Sequence, residues 1–313
     1  MVATYDKKRK DITFCTMLFE MPNSEHLAKL KNQSRKFDEF YLPSLKHLIE
    51  TFERVAIWCD QRTATYLRKH GLDKKINMRV MKLSQLPHWD EREQSLEIMK
   101  SMSGYVGYFL HRRTPEMWKD YLPLMFAKAA VVNWAAQNNK FKSKYFMWFD
   151  AGAFSPVYAN SRVWDGWTNT ITATPPHDRV RFSIQPTMGK SRPHFVPRFV
   201  YDLYRWLFVP PIPPATAKTL AHQSLRDIAM TNADYDVPGG CFIVPYKMVS
   251  KFYTAFERTI KILNRHSLTC VDQGVFQAMM KLDTEKMFEL VYVDSYQGLY
   301  NTIANGKTDH LLD

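Results

Sequence analysis

An α/β fold with a mostly parallel central sheet flanked by helices is predicted by three observations. Apolar runs rich in strand formers alternate with stretches of helical periodicity. The run Tyr145 to Phe149 (YFMWF) is apolar throughout, as suits a central strand buried on both faces. At 313 residues and 45% hydrophobic content, the chain is long enough to bury a sizeable core.

The elements follow in order. Asp11 to Phe19 (DITFCTMLF) predicts the opening strand, and Val55 to Cys59 (VAIWC) the next, ending at Asp60. Between them, Ser34 to Phe52 sets Phe37, Phe40-Tyr41, Leu45, Leu48-Ile49 and Phe52 at helical spacing. Strand, helix, strand in this order implies parallel pairing through crossover helices. Ile76 to Leu83 alternates like a half-buried strand. Pro115 to Asn138 predicts a helix in its later part, with Pro123 in the first turn and Met125, Ala129, Val132 and Ala136 as an apolar stripe. Lys128 interrupts that stripe. Residues 155–178 read as irregular, Val180 to Ile184 as a short strand, and 186–220, with seven prolines, as a loop-rich insertion or the start of a second lobe. Cys241 to Val244 predicts a strand, Lys247 to Leu263 and Asp272 to Leu282 helices, and Phe288 to Val293 a last strand. No internal repeat is evident.

Bulk composition narrows the class. Aromatic content of 14% excludes a disordered chain. The net charge of +12 favours anionic partners: nucleic acid, an anionic membrane, or phosphate-bearing small molecules. The cations are scattered, with one tight run at Lys7-Lys8-Arg9-Lys10 that reads as a solvated tail. Four cysteines, Cys15, Cys59, Cys241 and Cys270, form no CxxC pair and fit no zinc module. Buried free thiols in a reducing compartment are expected. No signal-peptide stretch and no run near the ~18 apolar residues of a membrane span occur, so a cytoplasmic location is expected.

Several residues carry chemical potential, each beside a plainer use. Asp150 ends the apolar strand and is followed by Ala151-Gly152; ligands of open parallel sheets sit beyond strand C-termini, where a carboxylate can hold a cation that neutralises a diphosphate. Its plainer use is to turn the chain. Asp60 offers either a contact to a nucleoside or an N-cap for a helix starting near Thr63. Gly239-Gly240 permits close ligand approach or a simple Pro-Gly turn. Asp272-Gln273 opens a helix: Asp272 reads as a cap or as a base toward an acceptor hydroxyl. Lys128 either snorkels to the surface or aims its ammonium at a diphosphate. His310, beside Asp309, offers a metal ligand or belongs to a terminal tail. Trp164, Trp167 and Trp206 suit stacking on sugar or base, or core packing. No HExxH, P-loop, GxGxxG or GxSxG is present.

Phe146-Met147-Trp148-Phe149-Asp150-Ala151-Gly152 resembles the W-x-D-A-G segment of the HtrL/YibB-like family of bacterial surface-polysaccharide loci and large DNA viruses, grouped with glycosyltransferases. Leu124 to Lys128 resembles its lysine-bearing helix, and Gly239-Gly240-Cys241-Phe242 and Asp272-Gln273 its glycine pair and D-Q motif. The resemblance spans roughly residues 11–300. It implies a single GT-A-like domain over 1–313, with a nucleotide-sugar-binding half at about 11–154 and a smaller acceptor-side lobe at about 155–300. Such enzymes bind Mn²⁺ or Mg²⁺ through a D-x-D motif; here Gly152 stands where the second aspartate would be. The expected donor site is Thr16, Met17, Leu18, Phe19, Asp60, Lys128, Asp150, Ala151 and Gly152. Gly239, Gly240 and Gln273 are expected at the sugar or acceptor, Asp272 as base, and Asp150 with His310 at a divalent metal. A UDP-sugar is the favoured donor and a glycan the acceptor, with peripheral membrane association permitted by the charge. The competing expectation is a non-catalytic module binding nucleic acid or glycan on a degenerate transferase fold. It is disfavoured for nucleic acid by the absence of RRM, KH or helix-turn-helix signatures.

Overall fold

The structure, a computed structural model, describes residues 11–21, 36–101, 115–154, 178–186, 225, 235–236, 239–282 and 286–292. The residues predicted as irregular or Pro-rich at 155–177 and 187–220 lie outside these, as do the basic run, His310 and the three tryptophans at 164, 167 and 206.

The strands are β1 (Ile12–Leu18), β2 (Val55–Cys59), β3 (Asn77–Val80), β4 (Tyr145–Phe149), β5 (Val180–Pro186), β6 (Tyr235–Asp236), β7 (Cys241–Pro245) and β8 (Phe288–Tyr292). The helices are α1 (Leu42–Thr51), α2 (Gln61–Lys69), α3 (Arg92–Ser101), α4 (Pro115–Asn138), α5 (Val249–Arg265) and α6 (Asp272–Leu282). One sheet runs β3-β2-β1-β4-β7-β5-β6, with β8 on β5. β1 to β4 pair parallel, and so do β5 and β8. β7 enters antiparallel between β4 and β5. The mostly parallel α/β architecture expected from the sequence is therefore present.

Two apolar layers sandwich the sheet. On one face, Cys15, Met17, Trp58, Phe146, Trp148, Phe242 and Phe182 pack under α4, α5 and α6. On the other, Phe14, Leu18, Ile57, Met147 and Phe149 pack under α1 and α2 through Leu45, Leu48, Ala64 and Leu67. Alternation along β1 and β4 assigns neighbours to opposite faces, both dry, which is why these strands read as unbroken apolar runs. Phe182, Phe242, Phe252 and Phe276 form a ring cluster with centroids 4.8–6.2 Å apart, joining β5 and β7 to α5 and α6.

One expectation is corrected. Pro123 does not begin a helix; α4 runs through it from residue 115. A prolyl nitrogen has no hydrogen to donate and disfavours a helix interior by about 3 kcal/mol. Burial decides otherwise: Leu122, Phe126, Ala127, Ala129, Val131 and Val132 are each 2% exposed or less.

His88 closes the turn before α3. Its backbone is left-handed at φ 63°, uncommon outside glycine. The ring is 5% exposed, sits edge-on to Phe126, and meets Glu91 at Nδ1 and Glu257 of α5 at Nε2, both at 3.1 Å. Burial alone would lower its pKa, but hydrogen bonds and charge from Glu257 and then Glu91 raise it above the ordinary imidazole value. A raised folded-state pKa stabilises fully below about pH 6.5 and loses that contribution as pH rises through the folded value. Urea unfolding of wild type should thus lose stability across that interval, while His88→Gln should show a flatter profile, with a difference of about 1 kcal/mol at the acid end.

Candidate functional site

At the C-terminal end of β4 the chain delivers Asp150 beyond an entirely buried strand. Trp148 and Asp150 are two residues apart, so they share a face. The Trp148 indole Nε1–H donates to Asp150 Oδ1 at 2.9 Å, and the Lys128 ammonium donates to the same oxygen at 3.0 Å. Among the described residues Oδ2 has no hydrogen-bond partner. The Asp150 side chain remains 42% exposed.

Lys128 comes from the middle of α4 and is 3% exposed. It does not snorkel. Its Nζ donates to the Gly239 carbonyl at 2.9 Å, lies 2.7 Å from Asp272 Oδ2, and sits 5.5 Å from the Trp148 ring centroid. The Asp272 contact is a close ion pair, with angles outside those of a directed hydrogen bond. Burial opposes the charged ammonium, yet Asp150 and then Asp272 hold the Lys128 pKa above the usual lysine value.

Asp272 is the first residue of α6, and its side chain is 5% exposed. A carboxylate at a helix N-terminus is favoured by the helix dipole. Burial raises its pKa, with Lys128 pulling down and Asp150 pushing up. Thus Asp272 stands at the helix start, as weighed in the sequence, and makes an ion pair there. Gln273 itself is half-buried.

The glycines have steric reasons. A Cβ on Gly239 would lie 1.7 Å from Asp272 Oδ2, so this turn approaches Asp272 as no other residue could. The Gly240 carbonyl accepts the Asp150 N–H at 3.1 Å. A Cβ on Gly152 would meet Phe40 and Tyr41 ring carbons, each at 3.1 Å. Any side chain there would need both rings to give by a few tenths of an ångström. Ala151 is buried, and its carbonyl accepts the Ser44 hydroxyl of α1 at 2.5 Å.

The remaining expected donor residues are placed differently. Thr16, Met17, Leu18 and Phe19 are buried at the end of β1, with Met17, Leu18 and Phe19 packed in the apolar layers. Asp60 caps α2, Oδ1 accepting the Thr63 N–H at 2.7 Å and Oδ2 the Glu20 N–H at 2.6 Å. It therefore ties the segment after β1 to the start of α2. The structure brings Lys128, Asp150, Gly239, Gly240 and Asp272 into one cluster and leaves Asp60 outside it. Trp148 belongs to the cluster; in the sequence it stands within the W-x-D-A-G segment with no role attached. The signal was its place two residues before Asp150 on a strand.

With Lys128, Asp150 and Asp272 ionised, the cluster carries a net charge of −1. Among the described residues no group of three His, Cys, Asp or Glu side chains could hold a metal. Asp272 is committed to Lys128. The donor set thus offers one carboxylate, through Asp150, which suits a divalent cation completed by phosphate oxygens and water rather than an all-protein cage.

No family model matches the sequence, and no curated protein matches it. Among solved structures, mouse xyloside xylosyltransferase 1 in its apo form shares 12% identity at a TM-score of 0.36, over 90% of this chain and 85% of its own. Core-mannan synthase A from Aspergillus fumigatus, in its Mn/GDP form, shares 10% identity at a TM-score of 0.41, over 90% and 73%. At that level of likeness, functional assignment rests on the site's own residues.

Removing Lys128's charge should be severe, because two carboxylates and a carbonyl lose their partner. Lys128→Met should lower unfolding free energy by about 3–5 kcal/mol in chemical denaturation. Gly239→Ala should also lower the melting temperature, whereas Gly71→Ala, in open space though at φ 67°, should be the milder of the two.

Proposed function

We propose that this protein transfers a glycosyl group from a nucleoside-diphosphate sugar to a hydroxyl acceptor. The observation that carries the reading is the Asp150–Lys128–Asp272 cluster at the C-terminal edge of a mostly parallel sheet, where open α/β folds bind their ligands. A GT-A-like identity for the sheet, and membership of the HtrL/YibB-like family, are supported by the order of the motifs that converge here. The favoured donor is a UDP-sugar and the favoured acceptor a glycan, as in polysaccharide synthesis. Four buried free thiols suit a cytoplasmic setting. No helix among the described residues is long and apolar enough to cross a membrane.

The reaction departs with a nucleoside diphosphate, so negative charge grows on its phosphate oxygens. A divalent cation bound with the diphosphate would neutralise that charge, with Asp150 as its protein ligand. Lys128 offsets one of the two carboxylates and fixes the other in place. Gly239-Gly240 and Ala151-Gly152 line the rim of the cluster with main chain. Asp272, as placed, sets the position of Lys128; taking a proton from an acceptor hydroxyl would require it to leave that ion pair.

Thermal shift against UDP, GDP, CDP and dTDP, with and without Mn²⁺, gives the direct check. A ligand present at 100 times its Kd stabilises the native state by about 2.7 kcal/mol, a readily measured rise. Stabilisation by one diphosphate, greater with Mn²⁺, is the expected result, and no shift with any of the four would sink the proposal. Nucleotide-sugar hydrolysis should fall at least about a hundredfold in Asp150→Ala with the fold intact. Affinity for DNA or RNA that falls steeply with salt, without any nucleotide effect, would favour the non-catalytic reading instead.

A further inference from the structure

We propose that Trp148 is the positioning residue of this site, and that its indole N–H, with the Lys128 ammonium, pins one oxygen of Asp150 so that the other is presented outward to the cation of a bound nucleoside diphosphate. The identity of the ligand rests on the function proposed above; the pinning does not.

A carboxylate at the end of a strand rotates unless something holds it. Here both donors converge on Oδ1, at 2.9 and 3.0 Å, one from the strand that carries Asp150 and one from α4. Trp148 is itself immobilised. It is 1% exposed, lies in the layer under α4, and stacks on Phe242 with the rings 15° from parallel. Its ring also faces the Lys128 ammonium, so one side chain fixes the carboxylate by hydrogen bonding and the cation by its π-face. An indole suits this role because it donates one hydrogen and accepts none. Burial of its N–H would be unfavourable without a partner, and Asp150 is that partner. The consequence is a division of labour within one carboxylate: Oδ1 belongs to the fold, and Oδ2 to the ligand. That division matters more in a site where Gly152 contributes no second carboxylate.

The test uses the indole N–H signals of the full chain in a proton–nitrogen NMR correlation. The chain has eight tryptophans, and the Trp148 signal is the one that vanishes in Trp148→Phe. In wild type it should exchange slowly with water, and Asp150→Ala should displace it and speed its exchange. An unmoved signal overturns the pinning, whatever nucleotide does. The second arm is UDP binding with Mn²⁺ by calorimetry. Trp148→Phe keeps an aromatic ring, though a smaller one, and removes the donor, and should weaken binding roughly tenfold, the usual worth of a hydrogen bond to a charged group. Trp148→Phe binding as tightly as wild type overturns the positioning role. If wild type binds none of the four nucleoside diphosphates, the proposed function and the assignment of Oδ2 both fall, while the NMR arm still decides the pinning. A thermal melt of each variant separates loss of fold from loss of alignment.

Discussion

Lys128 is a charge that must be neutralised where it stands. An ammonium at 3% exposure cannot rely on water, so the surrounding chain has to supply negative groups. It does so from three separate places: Asp150 after β4, the Gly239 carbonyl before β7, and Asp272 at the head of α6. Because those groups lie 22, 111 and 144 residues along the chain, their convergence links the β1–β4 half of the sheet to the β7–α6 segment. The antiparallel entry of β7 beside β4 follows the same logic, since it sets Gly239-Gly240 against Asp150.

The two carboxylates are not equivalent. Asp272 is buried, held by a helix terminus and by Lys128, and its immediate neighbour is a glycine that nothing larger could replace. Asp150 is partly open to solvent and anchored on one side only. The inner pair is enclosed, and the outer carboxylate reaches solvent. With all three groups ionised, the residual negative charge favours cations over anions.

Steric detail fills in what a motif comparison leaves blank. A Cβ on Gly152 would lie 3.1 Å from ring carbons of both Phe40 and Tyr41. Ser44, on the same segment, fastens the Ala151 carbonyl. The turn after Asp150 is therefore packed against α1 and the turn before it, so the helix after β1 helps shape the rim of the site.

Much of this was legible in the residue order. The unbroken apolar runs at 12–18, 55–59 and 145–149 mark strands dry on both faces, because period-two patterning vanishes when both sides are buried. Asp60 as a helix cap follows from its position three residues before Thr63, a local interaction. The strand-end place of Asp150 was likewise local. Pro123 was misread because propensity is a local quantity and packing of α4 overrode it. The partners of Lys128 could not be read locally either: a lysine in an apolar stripe snorkels or is buried according to what faces it, and that depends on contacts more than a hundred residues distant. The sequence by itself determined most of the strands and helices, though not β6, α3 or the start of α4, and the carboxylate at the end of β4. The tertiary structure alone decided that Lys128 is buried, that Trp148 and Lys128 share one oxygen of Asp150, and that Gly239 is a glycine because Asp272 leaves no room for a side chain.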